Sequence, residues 1–107
     1  MPDIIIATTE TVAGSEIAHT IGLVKGSTVR AKHIGSDIVA GLRNLVGGEV
    51  KEYAALLTGA REQAIDRMAA EARALGADAV VGMRLETSTI QQAASEVLAY
   101  GTAVKLR

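Results

Sequence analysis

The predicted strands of this chain carry small or apolar residues on both faces, and this feature most constrains the fold. Successive residues of a strand point to opposite faces of a sheet. The last predicted strand, residues 96–106, places on one face Leu98, Tyr100, Thr102, Val104 and Leu106 and on the other Val97, Ala99, Gly101 and Ala103. A sheet with one face in water alternates apolar and polar residues more sharply. Both faces are therefore predicted to be covered.

The spacing of apolar residues predicts four strands and two helices. Strands are expected over residues 4–9, 16–31, 79–90 and 96–106, and the second is either one long strand or a hairpin bent at 25–27. A short helix is expected over 38–46, after an N-cap sequence that ends at Asp37, and a longer helix over 49–75. Gly47-Gly48 is predicted to separate the helices, and Gly76 to cap the second at positive φ. The pattern predicts an α+β fold with a mainly antiparallel sheet.

Composition excludes several classes of protein. The 107 residues fit one domain, and the absence of Phe and Trp predicts a small, tightly packed aliphatic core. The absence of Cys excludes disulfides, thiolate chemistry and Cys-ligated metals. A formal net charge of −1 provides no basic field for nucleic acid or a membrane surface. Neither a targeting signal nor a membrane-spanning segment is recognised, so a cytoplasmic location is expected.

Two helices, one of them short, are too few to cover both faces of the predicted sheet. Another copy of the chain is the simplest cover, and it would avoid an apolar patch larger than a monomer usually exposes. The alternative is a monomer whose outer face carries only alanine and glycine. The sequence favours a closed homo-oligomer.

Few residues are candidates for chemistry. His19 lies on an apolar strand face, where a buried, hydrogen-bonded core histidine is favoured over a metal ligand. His33 lies in a predicted loop, where a solvated side chain is favoured over a ligand. Gly47-Gly48 is interpreted as a turn, or as a nest of N–H groups for an anion. Arg43, one turn before it, either compensates the helix dipole or contacts another subunit. No acid–base pair or nucleophile has a recognisable spacing.

Ordered short motifs along nearly the whole chain resemble the YbjQ-like family, small bacterial proteins labelled as heavy-metal-binding. The matching pieces are Thr8-Thr9, Gly22-Leu23-Val24 with Gly26, Asp37-Ile38-Val39-Ala40-Gly41-Leu42-Arg43, Val46-Gly47-Gly48, Tyr53, Ala60-Arg61-Glu62, Ala72-Arg73-Ala74-Leu75-Gly76-Ala77-Asp78-Ala79-Val80-Val81-Gly82 and Gly101-Thr102-Ala103-Val104. The resemblance implies a two-layer α/β subunit in a closed ring, typically a pentamer. It marks as structural or oligomer-related Asp37, Arg43, Gly47, Gly48, Tyr53, Gly76 and Gly82.

The chain departs from the family pattern at positions that bear on metal binding. Relatives carry an acid-rich strand of the form Asp-x-Asp-x-Glu, where this chain has Arg84, Glu86 and Ser88. His33 stands where relatives often have Asn. The metal candidates are therefore His19, His33 and Glu86, and a tight transition-metal site within one subunit is not expected.

The leading functional hypothesis is a non-catalytic, self-assembling protein that binds a metal ion or small ligand at or between subunits. An enzyme with an active site between subunits and a purely structural or partner-binding scaffold are the alternatives. No catalytic residue is predicted.

Overall fold

One long helix packs on one face of a four-stranded mixed sheet in the computed structural model, which describes residues 4–31, 47–91 and 94–107. The elements are β1 (Ile5–Ile6), β2 (Ile17–Ala31), α1 (Gly47–Ala74), β3 (Ala79–Gln91) and β4 (Ala94–Leu106). The strand order is β1-β3-β4-β2, in which β1 runs parallel to β3 and the other two pairings are antiparallel. The α+β class predicted from the sequence is confirmed.

The core between α1 and the sheet is built from small and aliphatic side chains, as the lack of Phe and Trp predicts. Its fully buried members are Val24, Ala60, Ala64, Met68, Ala72, Val80, Val97, Ala99 and Ala103. Leu75, expected at the end of the apolar stripe of α1, follows the last helical residue and is 52% exposed. Gly47 and Gly48 belong to α1, so the helix includes two residues that were assigned to a turn.

Gly76 ends α1 as the sequence predicts. Its φ is +78°, a conformation that costs glycine little because it has no Cβ. The Gly76 N–H donates to the Arg73 carbonyl at 3.0 Å, and the Ala77 N–H donates to the Ala72 carbonyl at 3.0 Å. This pair of bonds is the Schellman arrangement, which satisfies carbonyls at the end of a helix. The chain then turns directly into β3.

The second strand is continuous through residues 25–27, so the hairpin alternative is wrong.

The interpretation of His19 as a buried core residue is also wrong, because its side chain is exposed. α1 passes over β2 near Gly26, and the Glu71 carboxylate accepts from the Lys25 N–H at 3.2 Å. The helix ends three residues later, at Ala74. The first residues of β2 therefore extend past the helix that would have buried them.

The first strand is much shorter than predicted, and the residues after it cross to the far side of the sheet. β1 covers two residues, paired with Ala79 and Val80. The following segment, residues 7–16, carries Val12, which packs against a second buried cluster on the face away from α1. Ala79, Val81 and Val104 form that cluster.

Asp78 joins the start of β3 to the end of β4. Its carboxylate accepts the Leu106 N–H at 2.8 Å and the Lys105 ammonium at 3.4 Å. These two partners, the Leu106 N–H first, hold the pKa of the Asp78 carboxyl below its ordinary value, against a smaller opposing effect of burial. A carboxyl whose pKa is lower in the folded state stabilises the fold above its unfolded pKa of about 3.9. That contribution is lost as the pH falls through the folded pKa.

We expect Asp78→Asn to weaken the acid sensitivity of folding, because the amide keeps an acceptor for Leu106 but does not titrate. Urea unfolding followed between about pH 5 and pH 2 measures this. The midpoint of the wild-type chain should fall more steeply than that of the variant. Asp66→Asn, at an exposed position on α1, is the matched control and should keep the wild-type slope. Equal slopes for wild type and Asp78→Asn would contradict the assignment.

Several predicted features lie outside the described residues. They are the short helix over 38–46, Asp37, Arg43 and His33. Tyr53 lies within α1. Within the described parts of the chain, no helix combines the length and apolar character that crossing a bilayer requires.

Candidate ligand cleft on the open face of the sheet

The face of the sheet that points away from α1, here called the open face, is only partly covered by the described residues of the chain. Strand pairing aligns its residues in three rows that run across β3, β4 and β2. The rows are Val81, Thr102 and Leu23; Arg84, Tyr100 and Lys25; and Glu86, Leu98 and Ser27. Segment 7–16 covers the end that holds Val81. The other end, beyond Tyr100, has no cover among the described residues.

A cleft of about 420 Å³ lies where segment 7–16 meets the open face. Its lining residues come from three strands and from that segment, and they are Glu10, Ile17, Thr20, Val81, Gly82, Arg84, Thr102 and Val104. Its volume lies in the lower part of the range of about 300–1,000 Å³ typical of small-molecule sites. Aliphatic side chains line it together with polar and charged ones, and a site that fixes a small ligand also combines the two kinds.

Arg84 is held in place at the rim by backbone carbonyls. Its Nη1 donates to the Thr8 carbonyl at 3.0 Å and to the Met83 carbonyl at 2.8 Å. The backbone around it is fixed too, since the Gly82 N–H donates to the Thr9 carbonyl at 2.8 Å. Gly82 has a φ of +63° and sits at the irregularity where the β3–β4 register shifts between Val81 and Arg84. Just after this irregularity, the Arg84 side chain contacts segment 7–16 through the Thr8 carbonyl.

Two opposite charges line the cleft without pairing with each other. Glu10 and Arg84 both line it, yet no ion pair or hydrogen bond joins them, and none joins Glu10 to any other described residue. The guanidinium uses only Nη1 within the described chain, so Nη2 and Nε keep free donors. The arrangement offers one anionic and one cationic contact in a cleft that aliphatic side chains also line.

The predicted metal ligands are not brought together. His19 pairs with Lys105 and Glu86 with Leu98, so the two lie seven residues apart along β4, about 23 Å at about 3.3 Å per residue. His33 lies outside the described residues. Among the residues that are described, no three His, Cys, Asp or Glu side chains could together hold a metal ion. Three or four converging ligands are the usual requirement, so this part of the chain does not fit a heavy-metal site.

Sequence reasoning identified one of the two charged residues of the cleft and missed the other. Arg84 was noted only as a departure from an acidic pattern, and Glu10 was not singled out. The two are 74 positions apart in sequence, and no local spacing links them. The available signals are Glu10, a charged residue just after the first predicted strand, and Arg84, a charged residue within a largely apolar strand.

The fold and the cleft define a small α+β protein with one helical layer and one mixed sheet. The family model described as "Putative heavy-metal-binding" matches residues 4–107, and the chain belongs to this family, the YbjQ family. The resemblance recognised from the sequence motifs is thereby confirmed.

Relatives of high identity cover nearly the whole chain. A UPF0145 protein of Archaeoglobus fulgidus is 58% identical over 105 residues, which are 98% of this chain and 97% of the relative. A UPF0145 protein of Methanosarcina acetivorans is 57% identical over 102 residues, 95% of this chain and 96% of the relative. These two organisms are archaea, so the expectation of a bacterial family is too narrow.

A solved structure shares the fold. A protein of unknown function from Pediococcus pentosaceus, assigned to the DUF74 family, superposes with a TM-score of 0.62 at 17% sequence identity. The match covers 97% of this chain and 98% of that one. At this identity the likeness shows the fold alone.

Proposed function

We propose that this chain is a non-catalytic, self-assembling protein that binds a small polar ligand in the cleft on the open face. The observation that carries the proposal is the cleft itself, which is lined by three aliphatic side chains and by two opposite charges, Glu10 and Arg84, that do not pair with each other. Such charges favour a polar ligand, because its groups can complete contacts that the described residues leave open. The family label of heavy-metal binding is not adopted for this cleft, which contains a single carboxylate and a cation.

Exposed apolar side chains support the self-assembly part of the proposal. Leu23 is 65% exposed and Val29 57% exposed, and both lie on the open face of β2. Leu23 pairs directly with Thr102 of the cleft floor. A second copy that covers Leu23 would therefore border the cleft, which places the ligand beside a subunit contact.

The two long edges of the sheet differ in how much of their backbone is available for another copy. On β2, the Lys25 N–H is taken by Glu71, and the Ser27 carbonyl accepts from Arg67 Nη1 at 2.6 Å. On β3, pairing with segment 5–9 extends only as far as Met83, no other described residue pairs with this edge, and residues 84–90 are all exposed. An uncapped edge of this kind is a ready site for pairing with another chain.

The dimensions of the molecule also favour assembly. Its principal extents are 54 × 24 × 22 Å, and its radius of gyration is 17.1 Å. A compact domain of this length has a radius of gyration of about 13 Å. An elongated subunit gains cover for its two-sided strands by packing against neighbours, and the family resemblance favours five subunits in a ring.

A thermal-unfolding screen tests ligand binding in the cleft. Polar metabolites and divalent metal ions are added to the assembled protein. A ligand that binds the folded state raises Tm, because at 100 times its Kd it increases the free energy of unfolding by about 2.7 kcal/mol. We expect at least one metabolite to raise Tm and Thr102→Phe, which fills the cleft floor, to abolish the shift. Glu62→Gln, at an exposed position on α1, should respond as wild type. If no metabolite acts, or if Thr102→Phe responds fully, the proposal is contradicted.

A further inference from the structure

The charges of the cleft point to the class of its ligand. We infer that it takes a small zwitterion with an apolar side group, of the α-amino-acid type. The carboxylate meets Arg84, the ammonium meets Glu10, and the side group lies on the floor formed by Ile17, Val81 and Val104. This inference rests on the proposed ligand-binding function and names the ligand chemistry.

One zwitterionic molecule can satisfy both charges of the cleft. A ligand with only negative charge, such as phosphate, would gain Arg84 but meet the Glu10 carboxylate in the same cleft. A metal cation would gain Glu10 but meet the Arg84 guanidinium. A ligand that carries both charges, separated by a few bonds, gains both contacts and meets no like charge.

Arg84 is held in a way that leaves part of its guanidinium available for a ligand. Its Nη1 is anchored on the carbonyls of Thr8 and Met83, while Nη2 and Nε remain without a partner in the described chain. A guanidinium binds a carboxylate most strongly through two parallel N–H donors. Since the side chain is already anchored, little of its conformational freedom is lost when a carboxylate binds.

The lining of the cleft also provides contacts for an apolar side group. Ile17, Val81 and Val104 line it together with Thr20 and Thr102. A volume of about 420 Å³ is sufficient for a small molecule with a branched aliphatic group.

Isothermal titration of the assembled protein with matched probes tests this ligand class. L-Leucine carries both charges, 4-methylpentanoate carries only the carboxylate, and 3-methylbutylamine carries only the ammonium. We expect leucine to bind about ten-fold or more tightly than either single-charge probe, since each charged hydrogen bond that is lost weakens binding by about that factor. Inorganic phosphate and Zn²⁺ are expected to bind more weakly than leucine.

Charge-removing variants assign each contact. Glu10→Gln should bind leucine no better than it binds 4-methylpentanoate. Arg84→Lys keeps the positive charge but loses the planar fork, so its affinity for leucine should fall, while its circular dichroism spectrum reports whether segment 7–16 and the fold persist. Glu16→Gln, which removes a carboxylate of the same segment bonded to Arg107, is the matched control and should bind as wild type.

Three results would overturn the inference. They are equal affinity for leucine and a single-charge probe, unchanged leucine binding in Glu10→Gln, and no leucine binding at all. If leucine fails while another metabolite raises Tm and is blocked by Thr102→Phe, the ligand class is wrong but the proposed function stands. If nothing binds in either experiment, both are wrong.

Discussion

Replacing Gly26 by alanine is expected to destabilise the fold by about 3 kcal/mol. α1 crosses β2 at Gly26 so closely that a Cβ there would lie less than 3.0 Å from the Met68 nitrogen and the Ala64 carbonyl oxygen. Both are helix backbone atoms, so no side-chain rotation can relieve the overlap. The helix as a whole would have to move away from the strand.

That movement would also break the hydrogen bonds on either side of Gly26. Glu71 accepts from the Lys25 N–H, and Arg67 donates to the Ser27 carbonyl, and both contacts depend on the same close approach. Thermal unfolding at fixed protein concentration measures the effect, since about 1 kcal/mol shifts Tm by about 4–8 °C in a domain of this size. A drop of about 12 °C or more is therefore expected.

Gly59→Ala is the matched control for this prediction. Gly59 lies within α1, and a Cβ there would meet nothing within 4 Å. Alanine at an exposed helix position gains about 0.5–1 kcal/mol over glycine, so Tm should rise. If Gly26→Ala and Gly59→Ala changed Tm in the same direction, the close packing of α1 on β2 would be contradicted.

Leu23→Lys is expected to weaken assembly while leaving the subunit folded. Leu23 is largely exposed in the single chain, so a lysine there costs the isolated fold little. Covered by a second copy, the leucine contributes about 1.5–3 kcal/mol of apolar burial, and a buried ammonium would add a desolvation cost. The concentration at which the oligomer dissociates should therefore rise about ten-fold or more.

Leu75→Lys separates this effect from a general loss of apolar surface. Leu75 is 52% exposed and lies at the end of α1, away from the open face. Sedimentation velocity across a dilution series should show the wild-type dissociation behaviour for Leu75→Lys and an earlier dissociation for Leu23→Lys. Circular dichroism confirms that both variants are folded. Identical sedimentation of wild type and Leu23→Lys would remove the open face from the interface.

The regular elements of the fold could be predicted because their signals are local. Alternation identified β2, β3 and β4 to within a few residues, and helical spacing with the glycine at position 76 identified α1 and its end. The exposure of His19 could not be predicted, because it depends on where α1 stops relative to β2. The brevity of β1 was also missed, since residues 7 and 9 still bond to β3 and only the regular ladder ends after Ile6.

The cleft could not be predicted because it is made by tertiary crossing. Segment 7–16 passes over the open face, and only this crossing brings Glu10 and Arg84 to the same cleft. The prediction that both faces of the sheet are covered is met on the side of α1. On the open face it stays a prediction for the assembly, since Leu23 and Val29 are exposed in the single chain.

The solution mass of the wild-type protein tests self-assembly most directly. Multi-angle light scattering at micromolar concentration, on protein purified without an affinity tag, measures it independently of shape. We expect several times the 11.1 kDa mass of the chain, and about five times that mass if the ring implied by the family resemblance forms. A stable, well-folded species at the mass of a single chain would contradict self-assembly and would leave Leu23 and Val29 exposed in solution.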